Sequence, residues 1–179
     1  ALAQTECDAV LVTNLKNIYY LTGFSGTEAT VFISKNRRIF LTDARYTLIA
    51  KGVVQGFDIV ETRDAIGEIV KIIADDKLQK IGFEDEISYA YFKMLESVFS
   101  AYELVPMTGF IENLRMIKDE QEIATIRKAC QISDQAFLDV LDFIKPGETT
   151  ELAVMNFLDA RMRQLGASGA SFDFIIASG

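Results

Sequence analysis

Short apolar runs rich in β-branched residues recur through the first part of the chain, each bounded by Gly, Asn, Asp or Lys. They predict strands over residues 8–13, 29–34, 38–42, 57–60, 80–83 and 103–105. Between them, Ile66, Ile69, Val70 and Ile73 recur at helical spacing after Asp64, and Phe92, Leu95 and Phe99 do so after Ser88. Lys35-Asn36 separates two strands and reads as a hairpin turn, so at least one neighbouring pair is antiparallel. Residues 17–26 read as a tyrosine-rich turn ending in Gly23-Phe24-Ser25-Gly26. The expected architecture is α/β, a mixed sheet with flanking helices.

The pattern changes after Pro106. Asp119 with Glu122 three positions on predicts a capped helix start. The helix that follows carries Ile123, Ile126, Cys130, Phe137, Val140 and Ile144 as one apolar stripe, interrupted by Ser133. Pro146-Gly147 ends it, and Thr149 is placed to cap a second helix with Leu152, Met155, Leu158, Met162 and Leu165. Gly166 stops that helix, and residues 172–177 read as a strand just beginning. Two helices and one strand leave apolar surface uncovered, so an α+β domain is entered here and left incomplete. The expected boundary lies within 110–115, giving a first domain over 1–112 and a second over 113–179. Ala1-Leu2-Ala3-Gln4 reads as the tail of a helix whose beginning is missing.

Composition narrows the function. Of 179 residues half are hydrophobic, 13 are Phe and 2 are Pro, which excludes a disordered chain. A formal charge of −8 speaks against nucleic acid, since phosphate binding needs a basic surface. No apolar run reaches the roughly 18 residues of a membrane span. Cys7 and Cys130 lie far apart without metal-ligand spacing, and are expected as reduced thiols in a cytoplasmic protein. Cys130, on the apolar stripe, is expected to be buried.

The chain has no histidine, and no nucleophile elbow, phosphate loop or dinucleotide fingerprint. Carboxylates remain. Glu84-Asp85-Glu86, between a strand and a helix, is either a cation site or a solvated turn favouring the coming helix. Asp75-Asp76 reads as a surface turn, and Asp119, Glu120 and Glu122 as helix-start residues. None is assigned to catalysis or to a metal. Two residues are candidates for binding. Arg45, in Asp43-Ala44-Arg45-Tyr46, offers a donor fork suited to a peptide carboxylate; alternatively Asp43 caps the next helix and Arg45 pairs with a nearby acid. Phe24, on the glycine-flanked loop, is either an exposed aromatic at a ligand mouth or a core plug.

Four segments in order carry a resemblance. DAVLVTNLKNIYYLTGFSG and FLTDARY resemble the amino-terminal domain of the creatinase/Xaa-Pro peptidase family, which includes prolidase and aminopeptidase P. ENLRMIKDEQEIATIRKACQISDQAF, with Lys118, Glu122, Arg127 and Ala129, resembles the junction and first helix of its pita-bread catalytic domain. KPGETTELAVMNFLDARMRQLGASGASFDFIIASG resembles the next helix and first strand. The resemblance implies a metallopeptidase removing an amino-terminal residue before proline, with two divalent ions, usually manganese, held by two Asp, one His and two Glu. Those ligands lie downstream of the segment matching residues 171–179, so none carries over and no cofactor is expected here. It also implies a homodimer whose amino-terminal domain reaches the partner's active-site mouth and limits which peptides with proline second can enter. Phe24 and Arg45 are the candidates for that rim. Relatives that bind protein partners without hydrolysis imply a second reading, a non-catalytic dimerisation or peptide-binding module. Creatine hydrolysis is a third.

Overall fold

Alternation along the strands sorts side chains to two faces of one sheet. The computed structural model describes residues 2–178, with a six-stranded sheet in the order β4-β3-β2-β1-β5-β6. The strands are β1 (Ala9–Val12), β2 (Thr30–Ser34), β3 (Arg38–Thr42), β4 (Asp58–Glu61), β5 (Lys80–Phe83) and β6 (Glu103–Pro106). β1–β2 and β2–β3 pair antiparallel, the hairpin at Lys35-Asn36 joining the latter, whereas β3–β4, β1–β5 and β5–β6 pair parallel. The expected mixed sheet is thus present. Leu11, Phe32, Ile39 and Leu41 face one layer, and Val10, Val12, Val31 and Phe40, one residue out of step, face the other.

The first layer is built by α3 (Ala65–Asp76) and α4 (Tyr89–Val98), which bury Ile69, Ile73 and Leu95 against the sheet. Asp64 and Ser88 cap them, accepting hydrogen bonds from Gly67 N and Tyr91 N. The second layer holds α1 (Leu15–Thr22), α2 (Thr47–Val53) and α5 (Phe110–Met116), through Ile18, Ala50 and Ile111. Here the structure corrects the sequence reading. The expected tyrosine-rich turn is the helix α1, capped by Asn14 and closed by Gly23 in the left-handed region (φ 74°), whose N–H donates to the Tyr19 carbonyl at 2.7 Å. At the sheet end, the Asp8 carboxylate accepts from Gln79 N and Lys80 N at 2.8 and 2.9 Å. Those two bonds hold it below the usual aspartate range.

Residues group into two units, Ala1–Met116 and Ile117–Gly179. A break after residue 112 falls inside α5, which stays with the first unit because Ile111 is buried there. The second unit is α6 (Glu120–Phe143) and α7 (Glu151–Gln164). Asp119 and Glu122 form a complete capping box. α6 buries only Ala136 and Val140, against Leu158 of α7, with Phe143 stacked on Phe157 at 4.5 Å. α7 covers only the later part of α6, so Ile126 is exposed and so is Cys130, contrary to expectation; Phe137, beside the buried Ala136, turns away from α7 and is exposed too. Thr150, not Thr149, caps α7, accepting from Ala153 N at 3.2 Å; the Thr149 hydroxyl accepts from Lys145 N instead. Residues 172–177 form no strand. Phe174 and Ile176 pack inward with Ile175 facing out between them, but Phe172 is exposed where alternation would turn it inward, and no ladder forms among the described residues.

Candidate functional site

β3 ends at Thr42, and the next four residues turn tightly into α2. The Asp43 carbonyl accepts from Tyr46 N and Thr47 N at 3.0 and 3.1 Å. Its carboxylate accepts from Arg45 N (2.9 Å), Arg45 Nε (2.9 Å) and Arg45 Nη2 (2.6 Å). Asp43 thus ties its own turn rather than capping the helix, since the N-cap of α2 is Tyr46 and no side chain caps it. The guanidinium hydrogen bonds keep the Asp43 carboxyl below its ordinary range and push the Arg45 pKa up. Arg45 pairs with a nearby acid, and that acid is Asp43. Its side chain stays 67% exposed, its carbon Cζ 5.4 Å from the Tyr46 ring centre.

The glycine-flanked loop is zipped to this turn. Phe24 is buried, 1% exposed, packed edge-on to Phe40 at 5.0 Å and to Tyr46 at 5.6 Å. An exposed aromatic at a ligand mouth is therefore not found: Phe24 is a core plug, because the sheet face behind it needs filling and Phe40 supplies the wall. Gly26 sits so close that an added Cβ would lie 2.2 Å from Phe24 Cζ and 2.9 Å from Tyr46 Cδ1. The Tyr46 hydroxyl shares a 2.8 Å hydrogen bond with Thr27, which lowers the phenol pKa, Arg45 adding to the effect. Beside the turn lies a cavity of about 430 Å³, lined in part by Glu28, Thr42, Asp43, Arg45, Thr62 and Arg63. Its lining holds two acids and two arginines beside hydroxyls, and of these Asp43 and Arg45 are already paired with each other.

The acids after β5 do something the sequence did not suggest. Glu84 is neither a solvated turn nor a cation site. It is buried, 7% exposed, and its carboxylate accepts from Thr13 N (2.6 Å), Asn14 N (2.7 Å) and Asn17 Nδ2 (2.6 Å). Asp85 accepts from the Thr108 hydroxyl. Asn17, a polar residue just before the run Ile18-Tyr19-Tyr20-Leu21, was the one signal that could have revealed this network.

Residues 1–117 match the Creatinase/Prolidase N-terminal domain, and residues 124–179 match Metallopeptidase family M24. The chain belongs to the creatinase/prolidase family. An aminopeptidase P structure from Streptococcus thermophilus is 57% identical, with 64% of this chain and 89% of that one aligned at a TM-score of 0.62. An Xaa-Pro dipeptidase from Bacillus anthracis is 38% identical over 93% of this chain and 47% of that one, at a TM-score of 0.87. Among curated relatives, an uncharacterized peptidase of Bacillus subtilis is 39% identical, covering 98% of this chain and 50% of that protein. The chain spans about half the length of the curated relatives it matches.

Metallopeptidase family M24 implies divalent metals. Among the described residues no group of three or more His, Cys, Asp or Glu could hold one. The buried carboxylate, Glu84, is committed to N–H donors, the reverse of what a cation ligand needs. No helix among the described residues is long and apolar enough to cross a membrane.

Proposed function

We propose that this chain is the amino-terminal portion of a dinuclear-metal Xaa-Pro peptidase, aminopeptidase or dipeptidase, that hydrolyses the bond before proline. In this reading residues 1–179 bind and limit the peptide, and the metal ligands, serving two manganese ions, lie elsewhere in the protein. The observation that carries it is the two matches in one chain, an amino-terminal domain followed by the start of an M24 domain. An X-Pro bond is a tertiary amide without an N–H, so selecting it calls for a site that reads the ends of a short peptide. The paired charges around Arg45 and Asp43 suit that task, with Phe24 contributing from beneath by holding Tyr46. The protein would act in the cytoplasm as a homodimer, and the outward apolar face of α2 at Leu48, Ile49 and Val53 supports the dimer.

The test compares the full-length gene product with residues 1–179, each supplied with Mn²⁺ and with X-Pro and X-Pro-Y peptides. Cleavage before proline by the full product, and none by the shorter chain, is expected. Turnover by residues 1–179 alone would overturn the division of labour. Peptide binding without cleavage by the full product would establish the second reading instead, a non-catalytic dimerisation or peptide-binding module.

A further inference from the structure

Asn17 is completely buried, and its side chain is fully used. Nδ2 donates to Glu84 Oε1 at 2.6 Å and to Glu112 Oε1 at 2.5 Å, while Oδ1 accepts from Arg115 Nη1 at 2.8 Å. Glu84 follows β5, and its other oxygen is taken by the backbone at Thr13 and Asn14, where β1 runs into α1. Glu112 and Arg115 both belong to α5, the last helix before the chain enters its second unit. Among short side chains only asparagine presents two N–H donors and an acceptor on one planar group. An aspartate of the same shape would set three carboxylates around one point. An aliphatic residue would leave Glu84 Oε1 without this donor, and unmade bonds to buried charges are costly.

We propose that Asn17 is a positioning residue that clasps α5 to the first unit, so that the orientation of this connecting helix is set by hydrogen bonding at one amide rather than by apolar packing. Packing alone is a poor alternative. α5 has seven residues and packs on the core through buried Ile111 and half-buried Phe110, while Asn113, Leu114 and Met116 are exposed. The tyrosine-rich segment owes its asparagine to this role, and the network is independent of the peptide rim and of the proposed activity.

The experiment is amide hydrogen exchange on the chain carrying Asn17→Asp, Arg115→Ala, and the double change Asn17→Asp with Glu112→Gln. Asn17→Asp removes both donors with no change of shape and should speed exchange across α5 by about tenfold or more. Amides of β1, β2 and β5 should keep their protection. In the double variant the new amide at position 112 can donate to the new carboxylate at position 17, and protection of α5 should recover relative to the single change. Arg115→Ala alters only the helix side of the clasp and should loosen α5 alone, which keeps the test open should Asn17→Asp not fold. Unchanged exchange in α5, or α5 and the sheet speeding up in step, would overturn the proposal, the latter showing Asn17 to be a prop of the whole core.

Discussion

Phe24 and Tyr46 meet edge to face, 5.6 Å between ring centres and 87° between planes, and in doing so join two loops that the chain keeps apart by a hairpin. The contact explains why a glycine stands between them in space. The exposed turn that carries Arg45 is held in place by a buried phenylalanine behind it, so core packing and the geometry of the candidate rim are coupled through one ring.

Gly26→Ala is the sharpest test of that coupling. The new methyl would overlap Phe24 and Tyr46, both anchored ring atoms rather than flexible chain ends. Destabilisation of about 1–3 kcal/mol is expected, read as a lower urea midpoint at unchanged slope.

Arg45→Ala should leave the urea midpoint essentially unchanged, because the Arg45 side chain is 67% exposed and its ion pair with Asp43 is local. In the full-length protein it should raise KM for short X-Pro peptides more than it lowers kcat. Unchanged kinetics with a lower melting temperature would assign Arg45 to the fold instead.

The pH dependence has a definite sign at Asp8. Its folded-state pKa is depressed below the ordinary 3.8 by the Lys80 and Gln79 N–H groups. The associated stability is fully present above the unfolded value and is lost as pH falls through the lower, folded one. Asp8→Asn should therefore flatten the acid limb of a stability curve below about pH 4, with little change in its shape above about pH 6; urea melts across that range measure it.

Asp119→Ala removes one half of the capping box at the head of α6. A loss of about 1 kcal/mol is expected, seen by circular dichroism as an earlier loss of helix. Asp119→Ser should restore most of it.

Thiol chemistry separates the two cysteines. Burial, the largest cause, pushes the Cys7 thiol up, whereas Cys130 is exposed. A charged thiol reagent should modify Cys130 rapidly and reach Cys7 only on unfolding, countable by mass spectrometry.

What the sequence revealed follows from the range of each signal. The six strands were legible because apolar runs and their Gly, Asn or Asp boundaries are contiguous. α3, α4 and α6 were legible from their period and caps. α1 and α5, of eight and seven residues, are too short to show a period. Cys130 was misplaced because a periodic stripe marks a face without saying how much of it a neighbour covers. The asparagine network was hidden for another reason: Asn17 meets Glu84 and Glu112 at separations of 67 and 95 positions along the chain, and nothing local encodes those meetings. The Asp43–Arg45 turn lay within reach because its partners are two residues apart.

The margins of the sheet bear on how copies of this protein can associate. β4 and β6, the outermost strands, are four residues each, and β6 begins with Glu103 and finishes at Pro106, which has no amide proton to offer. Such borders discourage a further strand from docking alongside. Growth of the sheet from molecule to molecule is thereby blunted at this margin, and any self-association of the first unit is steered toward its helical flanks.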